Sequence, residues 1–185
     1  AKWHDKWGQR CWTITPSLGN TSYPLRKVND ILDVSKIEAD KLTLEQLPFC
    51  LSDLCLHIKT TFQPIASQKG LVLNIINYTE HDHWLGDVER LKQILVNLVS
   101  NSLQFTEQGA VEVLLTQKKA SPTNYILEFK INDTGVGMGK LAVDKLFKRF
   151  EDINTRSSAT STGLSMSITQ SLVHLMKGDI KDESL

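Results

Sequence analysis

The sequence predicts an α/β fold, and three observations carry that prediction. Helical patterns alternate with short strand-like runs from Leu25 onward. One helical stretch, opened by Gly86-Asp87, lines up Leu91, Ile94, Leu95, Leu98, Val99 and Leu103 as a single apolar stripe. A strand-like run, Tyr125 to Ile131, then delivers the carboxylate of Asp133 into a turn with three glycines in five residues, Gly135, Gly137 and Gly139. Glycines at that density permit positive φ and close backbone approach, so the turn is a candidate holder of a polar ligand.

Composition sets the bounds. A chain of 185 residues buries one sizeable core, enough for one domain with an appendage. Hydrophobic residues at 41% and charged residues at 23% are ordinary for a globular protein in water. The formal net charge is zero, so composition points to neither nucleic acid nor an anionic membrane surface. No apolar run is long enough to span a bilayer, and no signal peptide is visible. Cys11, Cys50 and Cys55 form no C-x-x-C pair and leave an odd thiol, which predicts reduced cytosolic cysteines, with Cys50 and Cys55 in or near the core. The start at Ala1 and the abrupt end at Leu185 predict a piece of a larger protein.

Taken in order, residues 1–24 read as an irregular leader. Trp3, Trp7 and Trp12 sit among Gly8, Pro16, Gly19 and Pro24 without a clear period, and the excess of Lys and Arg there leaves a basic arm as the alternative. Pro24 suits a first helical turn, and Leu25, Val28, Ile31 and Leu32 recur at helical spacing. Leu42 to Glu45 alternates like a strand. Ser52 to Ala66 reads as a helix with Ser52 as its cap and Leu54, Ile58, Phe62 and Ile65 inward. Leu71 to Ile76, rich in aliphatic residues after Gly70, reads as a strand. His81-Asp82-His83 is the one His-x-His; a metal needs more ligands than this stretch offers, so it reads as a solvated turn.

The stripe helix from Gly86-Asp87 carries Asn97 and Asn101 four residues apart, so the two lie about 40° apart on one flank. Asn forms helix poorly, and two stacked on a core-bordering edge predict something polar beside them. Gly109 to Gln117 and Tyr125 to Ile131 read as two strands leading into the glycine turn. That turn is not a P-loop, because Lys140 is followed by Leu141, and not a dinucleotide fingerprint, because Lys140 stands where a third glycine is needed. Asp152 to Ser161 is polar, small and aperiodic, as a lid would be. A last helix begins at Thr162-Gly163-Leu164, with Ile168, Leu172, Leu175 and Met176 inward, and Asp179 begins a strand.

Four segments carry a resemblance to a known family. Asp133-Thr134-Gly135-Val136-Gly137-Met138, by itself equally a plain surface turn, resembles the D-x-G-x-G box of the ATPases shared by sensor histidine kinases, gyrase, Hsp90 and MutL. The run from Arg90 to Thr106 resembles the N box, R-L-x-Q-I-L-x-N-L-x-x-N-A-x-K-F-T. Leu146 to Glu151 resembles the F box, L-F-x-x-F-x-Q, although Phe147 and Phe150 alone also read as a core pair. Thr162 to Ile168 resembles part of the G2 box, G-G-T-G-L-G-L-S-I. Independently, Val28 to Ala39 resembles the I-N-D-I-L-D-x-S-K-I-E-A-G end of the dimerisation hairpin in hybrid-type sensor histidine kinases.

The chain also departs from that pattern. The phosphoacceptor motif H-E-x-R-T-P is missing, and His4-Asp5 does not replace it. Pro16, Gly19 and Pro24 interrupt the region where the family has continuous helix, which argues against a paired hairpin here. Thr160, Ser161 and Ser165 stand where the G2 box has glycines, and Gln104 and Ser102 stand for its N-box Lys and Ala. Added Cβ atoms and a lost phosphate partner predict weaker nucleotide binding. The end at Leu185 precedes the family's final strands, which predicts a sheet short at one edge.

The resemblance implies a two-layer α/β sandwich of the Bergerat ATP-binding type. It would have a mixed, mostly antiparallel sheet, three main helices and an ATP lid. Residues 1–40 would be the leader and a remnant of the dimerisation helix, and residues 41–185 the catalytic domain. It implies a histidine kinase that uses ATP and Mg²⁺ to phosphorylate a histidine on a hairpin, for relay to a response-regulator receiver domain. In the resemblance Asp133 binds adenine, Asn101 holds Mg²⁺ with Asn97 alongside, and Gly135, Gly137 and Gly163 admit the phosphates and let the lid move. Met138, Phe150, Thr162 and Leu164 complete the implied nucleotide contacts. The implied partners are ATP or ADP, the hairpin, the receiver and a second copy in the full-length protein, with no nucleic acid. The implied location is the cytoplasm, with the full-length protein anchored in a bacterial inner membrane. The alternative is a degenerate domain that senses nucleotide or binds a partner without catalysis. The gyrase branch fits less well, because it has Glu where Asn97 stands.

Overall fold

A computed structural model describes residues 10–14, 42–120, 125–137 and 161–182. Among these, seven strands and three helices form. The strands are β1 (Arg10–Ile14), β2 (Leu47–Cys50), β3 (Val72–Asn77), β4 (His83–Gly86), β5 (Ala110–Lys119), β6 (Tyr125–Asp133) and β7 (Ile180–Asp182). The helices are α1 (Leu51–Gln68), α2 (Val88–Phe105) and α3 (Ser161–Leu175).

The main sheet runs β3-β5-β6-β1-β7, and a two-stranded sheet pairs β2 with β4. Among the described residues only β3 and β5 pair in parallel, with Leu73 opposite Val111. The other neighbours in the main sheet are antiparallel, with Val113 opposite Ile131 in the β5–β6 ladder. The expected mixed, mostly antiparallel sheet with three helices is therefore what forms.

One face of the sheet carries the core. Val111, Val113 and Leu115 of β5 and Leu127, Phe129 and Ile131 of β6 alternate inward at the two-residue period of a strand. Against them pack Leu54, Ile58 and Phe62 of α1, Leu91, Ile94, Leu95 and Leu98 of α2, and Ile168, Leu172 and Val173 of α3 in one cluster. An apolar cavity beneath α1 and α2, lined in part by Leu54, Ile58, Leu95, Val113 and Phe129, belongs to this core.

Several local expectations change. Leu42 to Gln46 is irregular, and the strand begins only at Leu47. Ser52 does not cap α1; instead the turn before β4 caps it, with Asp82 Oδ1 accepting from Ser52 N at 2.7 Å and Asp82 Oδ2 from Ser52 Oγ at 2.7 Å. The His81-Asp82-His83 stretch is thus a capping turn that leads into β4 rather than a merely solvated one. Ala66 takes the inward place expected of Ile65, which is 44% exposed. Burial raises the thiol pKa of Cys55 to about 11, as suits a reduced, unreactive cysteine packed against the core.

The largest change is in the leader. Within it, Arg10–Ile14 forms β1, inserted between β6 and β7 and paired antiparallel to both. Arg10 lies opposite Asp133, and Trp12 lies opposite both Ile131 and Asp182. A single ladder therefore joins the start of the described chain to its end. The expected helix over Val28 to Ala39, the lid and the F box lie outside the described residues.

Candidate functional site

The site is built on α2. Asp87 fixes where the helix starts: its side chain accepts from Arg90 N at 3.0 Å, the geometry of an N-cap, and from Glu45 N at 2.9 Å. The apolar stripe then turns inward, and this sets the flank on which Asn97 and Asn101 lie, both half-buried. That flank faces α3. Asn97 Nδ2 donates to Thr169 Oγ1 at 3.3 Å, and Asn101 Nδ2 donates to Met166 Sδ at 3.1 Å. Thr169 and Met166 are themselves buried.

The glycine turn closes on the far end of the same helix. Asp133, the last residue of β6, is fully buried, and its Oδ1 accepts from Gly135 N at 3.0 Å in an Asx turn. Its second oxygen, Oδ2, is buried as well. A Cβ on Gly135 would lie 2.6 Å from the Phe105 carbonyl oxygen and 2.8 Å from Asp133 Oδ1, so only glycine lets the turn rest on the end of α2. Gly137 has φ of +64°, the left-handed region that glycine enters without cost. Thr134 ties the turn to β5: its hydroxyl accepts from Ala110 N at 3.1 Å and donates to Gln108 O at 2.8 Å.

The end of α2 is held from below. Lys69 Nζ donates to the carbonyls of Leu103 at 2.6 Å and of Gln104 and Thr106 at 3.3 Å each. A cation there complements the helix C-terminus. Gln104 itself is exposed.

The sequence-predicted residues that the structure describes fall into three groups. Asn97 and Asn101 meet the flank of α3, and Asp133, Gly135 and Gly137 belong to the turn that meets the end of α2 through Gly135. Thr162, Gly163 and Leu164 lie in the first turn of α3. Met138 and Phe150 lie outside the described residues. Sequence reasoning missed Thr134, Met166, Thr169 and Lys69. Thr134 is one of the two variable positions of its motif, and the other three act across long sequence separations that no local period reveals.

Chemically, the described residues of the site offer two amides and a buried carboxylate. Among the described residues no three His, Cys, Asp or Glu side chains gather as a metal cluster. A cation here would take an amide oxygen from the protein and its remaining ligands from water and from a bound anion, which is the habit of Mg²⁺ on phosphates. The donor set fits that ion.

Comparison with known proteins bears on the family and the fold. The family of histidine kinase-, DNA gyrase B- and HSP90-like ATPases matches residues 86–184, just over half of the chain. The signal transduction histidine-protein kinase BarA of Escherichia coli (strain K12) is 39% identical over 175 residues, spanning 93% of this chain and 19% of BarA. The autoinducer 2 sensor kinase/phosphatase LuxQ of Vibrio parahaemolyticus is 34% identical over 164 residues, spanning 86% of this chain and 19% of LuxQ. The chain thus spans about a fifth of the length of these relatives. Among solved structures, full-length ShkA in complex with AMPPNP has a TM-score of 0.65 at 25% identity, over 81% of this chain and 30% of that one. The Acinetobacter baumannii histidine kinase AdeS has a TM-score of 0.60 at 20% identity, over 84% of this chain and 74% of its own, and bears on the fold alone.

Proposed function

The chain belongs to the histidine kinase-, DNA gyrase B- and HSP90-like ATPase family, and on that premise we propose that it is the Mg²⁺-ATP-binding catalytic domain of a two-component sensor histidine kinase. The observation that carries the reading is the buried Asp133 at the end of β6, with Gly135 seated on α2 where no Cβ fits. A buried carboxylate beside a turn without side-chain bulk suits a flat, hydrogen-bonding base, and Asp133 takes the adenine amino group.

Asn101 supplies its amide oxygen to Mg²⁺, with Asn97 alongside. The first turn of a helix carries N–H groups that have no acceptor inside the helix, so the amides from Ser161 to Leu164 at the start of α3 receive the phosphates. Gly135, Gly137 and Gly163 keep that approach open, while Met138, Phe150, Thr162 and Leu164 complete the nucleotide contacts. Asn101, with Asn97 alongside, would hold Mg²⁺, which would supply positive charge to offset that of the phosphates during transfer. The protein's share is to position and to exclude water, since phosphoryl transfer asks little covalent work of it.

The acceptor is a histidine on a dimerisation hairpin outside this chain, and the phosphoryl group passes on to a receiver domain. The working form is a homodimer of the full-length protein on the cytoplasmic side of a bacterial inner membrane. Among the described residues no helix is long and apolar enough to cross a membrane. Gln104, exposed at the end of α2 where a Lys would meet phosphate, favours a second reading, a module that binds nucleotide or a partner without turnover.

Incubating the chain with γ-labelled ATP, Mg²⁺ and a separately produced phosphoacceptor hairpin tests the proposal. Label on the hairpin histidine, lost with Asn101→Ala, supports the kinase. Saturable nucleotide binding without transfer favours the module. Absence of both, in a folded chain, overturns both readings.

A further inference from the structure

We propose that Met166 is a positioning residue for Asn101: its thioether selects the amide orientation that leaves Oδ1, not Nδ2, available to a metal ion. The inference rests on the reading of Asn101 as the Mg²⁺ contact.

An asparagine amide is two-ended. Its oxygen attracts a cation and its NH₂ repels one, and the two ends exchange by a half-turn about a soft torsion. Asn101 Nδ2 lies 3.1 Å from Met166 Sδ. A thioether accepts and never donates. The reversed orientation would set two acceptors, Oδ1 and Sδ, against each other, and Met166, 1% exposed, has no water to relieve it on its own side. Only one orientation is therefore stable, and it turns Oδ1 away from α3. A soft thioether also does not compete for a hard cation.

One turn earlier, Asn97 Nδ2 donates to Thr169 Oγ1 at 3.3 Å, and because a hydroxyl both donates and accepts, that contact does not by itself select an amide orientation. At Asn101 the partner is the Met166 thioether, which only accepts and therefore does select one. In the G-G-T-G-L-G-L-S-I pattern this position is Leu, which fills a similar volume and offers no acceptor.

The test is Met166→Leu, a volume-conserving exchange of the kind that cores tolerate. Two quantities are read. The first is the set of side-chain NH₂ resonances of Asn101 and Asn97 in the nucleotide-free chain, identified by their loss in Asn101→Ser and Asn97→Ser. The second is the Mg²⁺ concentration that half-saturates enhancement of ATP-analogue binding, set beside the affinity for ADP without Mg²⁺. The expected result is that the Asn101 pair moves while the Asn97 pair stays. The Mg²⁺ midpoint then rises about threefold, the size of a weak neutral hydrogen bond, with Mg²⁺-free ADP affinity unchanged.

An Asn101 pair that does not move overturns the inference whether or not nucleotide binds. A Mg²⁺ midpoint that does not change overturns it as well. If the unsubstituted chain binds nucleotide with no Mg²⁺ sensitivity, the assignment of Asn101 as a metal contact fails, and the positioning role falls with it.

Discussion

Lys69, one residue past the end of α1, places its ammonium 2.6 Å from the carbonyl oxygen of Leu103, in the last turn of α2. Two further carbonyls, of Gln104 and Thr106, share the same cation. The end of α2 is where Gly135 rests, so this contact steadies the floor of the site. Lys69→Met keeps the aliphatic stem and removes the donors. It should lower stability by about 1 kcal/mol, seen as a lower urea midpoint with unchanged slope. Nucleotide affinity should fall with it, since the floor loosens.

Gly135→Ala should be far more damaging than its single methyl group suggests. The new carbon would have to displace the backbone carbonyl of Phe105 or the Asp133 carboxylate, and neither is the free end of a flexible side chain. A destabilisation of roughly 2–3 kcal/mol is expected, with nucleotide binding lost. A melting temperature equal to that of the unsubstituted chain would contradict the geometry described for the turn.

β1 gives a third prediction. Thr13 sits in the middle of a strand with neighbours on both sides, Lys130 of β6 and Lys181 of β7. In such a strand each interior N–H faces one neighbour or the other, so Thr13→Pro removes a ladder bond and crowds the pairing. It should cost roughly 1–3 kcal/mol, the scale of a buried backbone group left without its partner, and hydrogen exchange should quicken in β6 and β7. Unchanged exchange in both strands would place Arg10–Ile14 outside the sheet.

Acid should loosen α1 first at its N-terminus. The Ser52 hydroxyl and backbone hold the Asp82 carboxyl below its ordinary value near 3.8, so the folded state favours the charged form. The stabilisation is fully present above that ordinary value and is lost as pH falls through the depressed one. Ser52→Ala removes the strongest of these hydrogen bonds, and the Asp82 midpoint followed by carboxyl NMR should move up. A midpoint unmoved by Ser52→Ala would mean that Asp82 does not cap the helix.

What was legible in the sequence is what local period encodes. The α2 stripe, the alternation in β5 and β6, and the Asn97–Asn101 spacing each follow from neighbours within one or two turns. What was not legible depends on distant partners. β1 shows no period of its own and is defined by backbone pairing with β6 and β7. Ser52 reads as a cap until Asp82, 30 residues on, takes that role. Ile65 and Ala66 are both in register with Phe62 on a helical wheel, and Ala66 is the one that the helix buries. In the site, the Met166 and Thr169 contacts span 65 and 72 residues and required the packing of α3 on α2.

The most direct measurement of the central claim is titration of the chain with a fluorescent ATP analogue, with and without Mg²⁺, beside Asp133→Asn. Asparagine at 133 keeps an oxygen to accept from Gly135 N, so the turn should survive and the melting temperature should hold. The account predicts saturable, Mg²⁺-sensitive binding by the unsubstituted chain and at least a tenfold loss, about 1.4 kcal/mol or more, in the substituted one. Equal affinity in the two, or no binding at millimolar nucleotide by a folded chain, would contradict Asp133 as the base-recognising carboxylate of a nucleotide site.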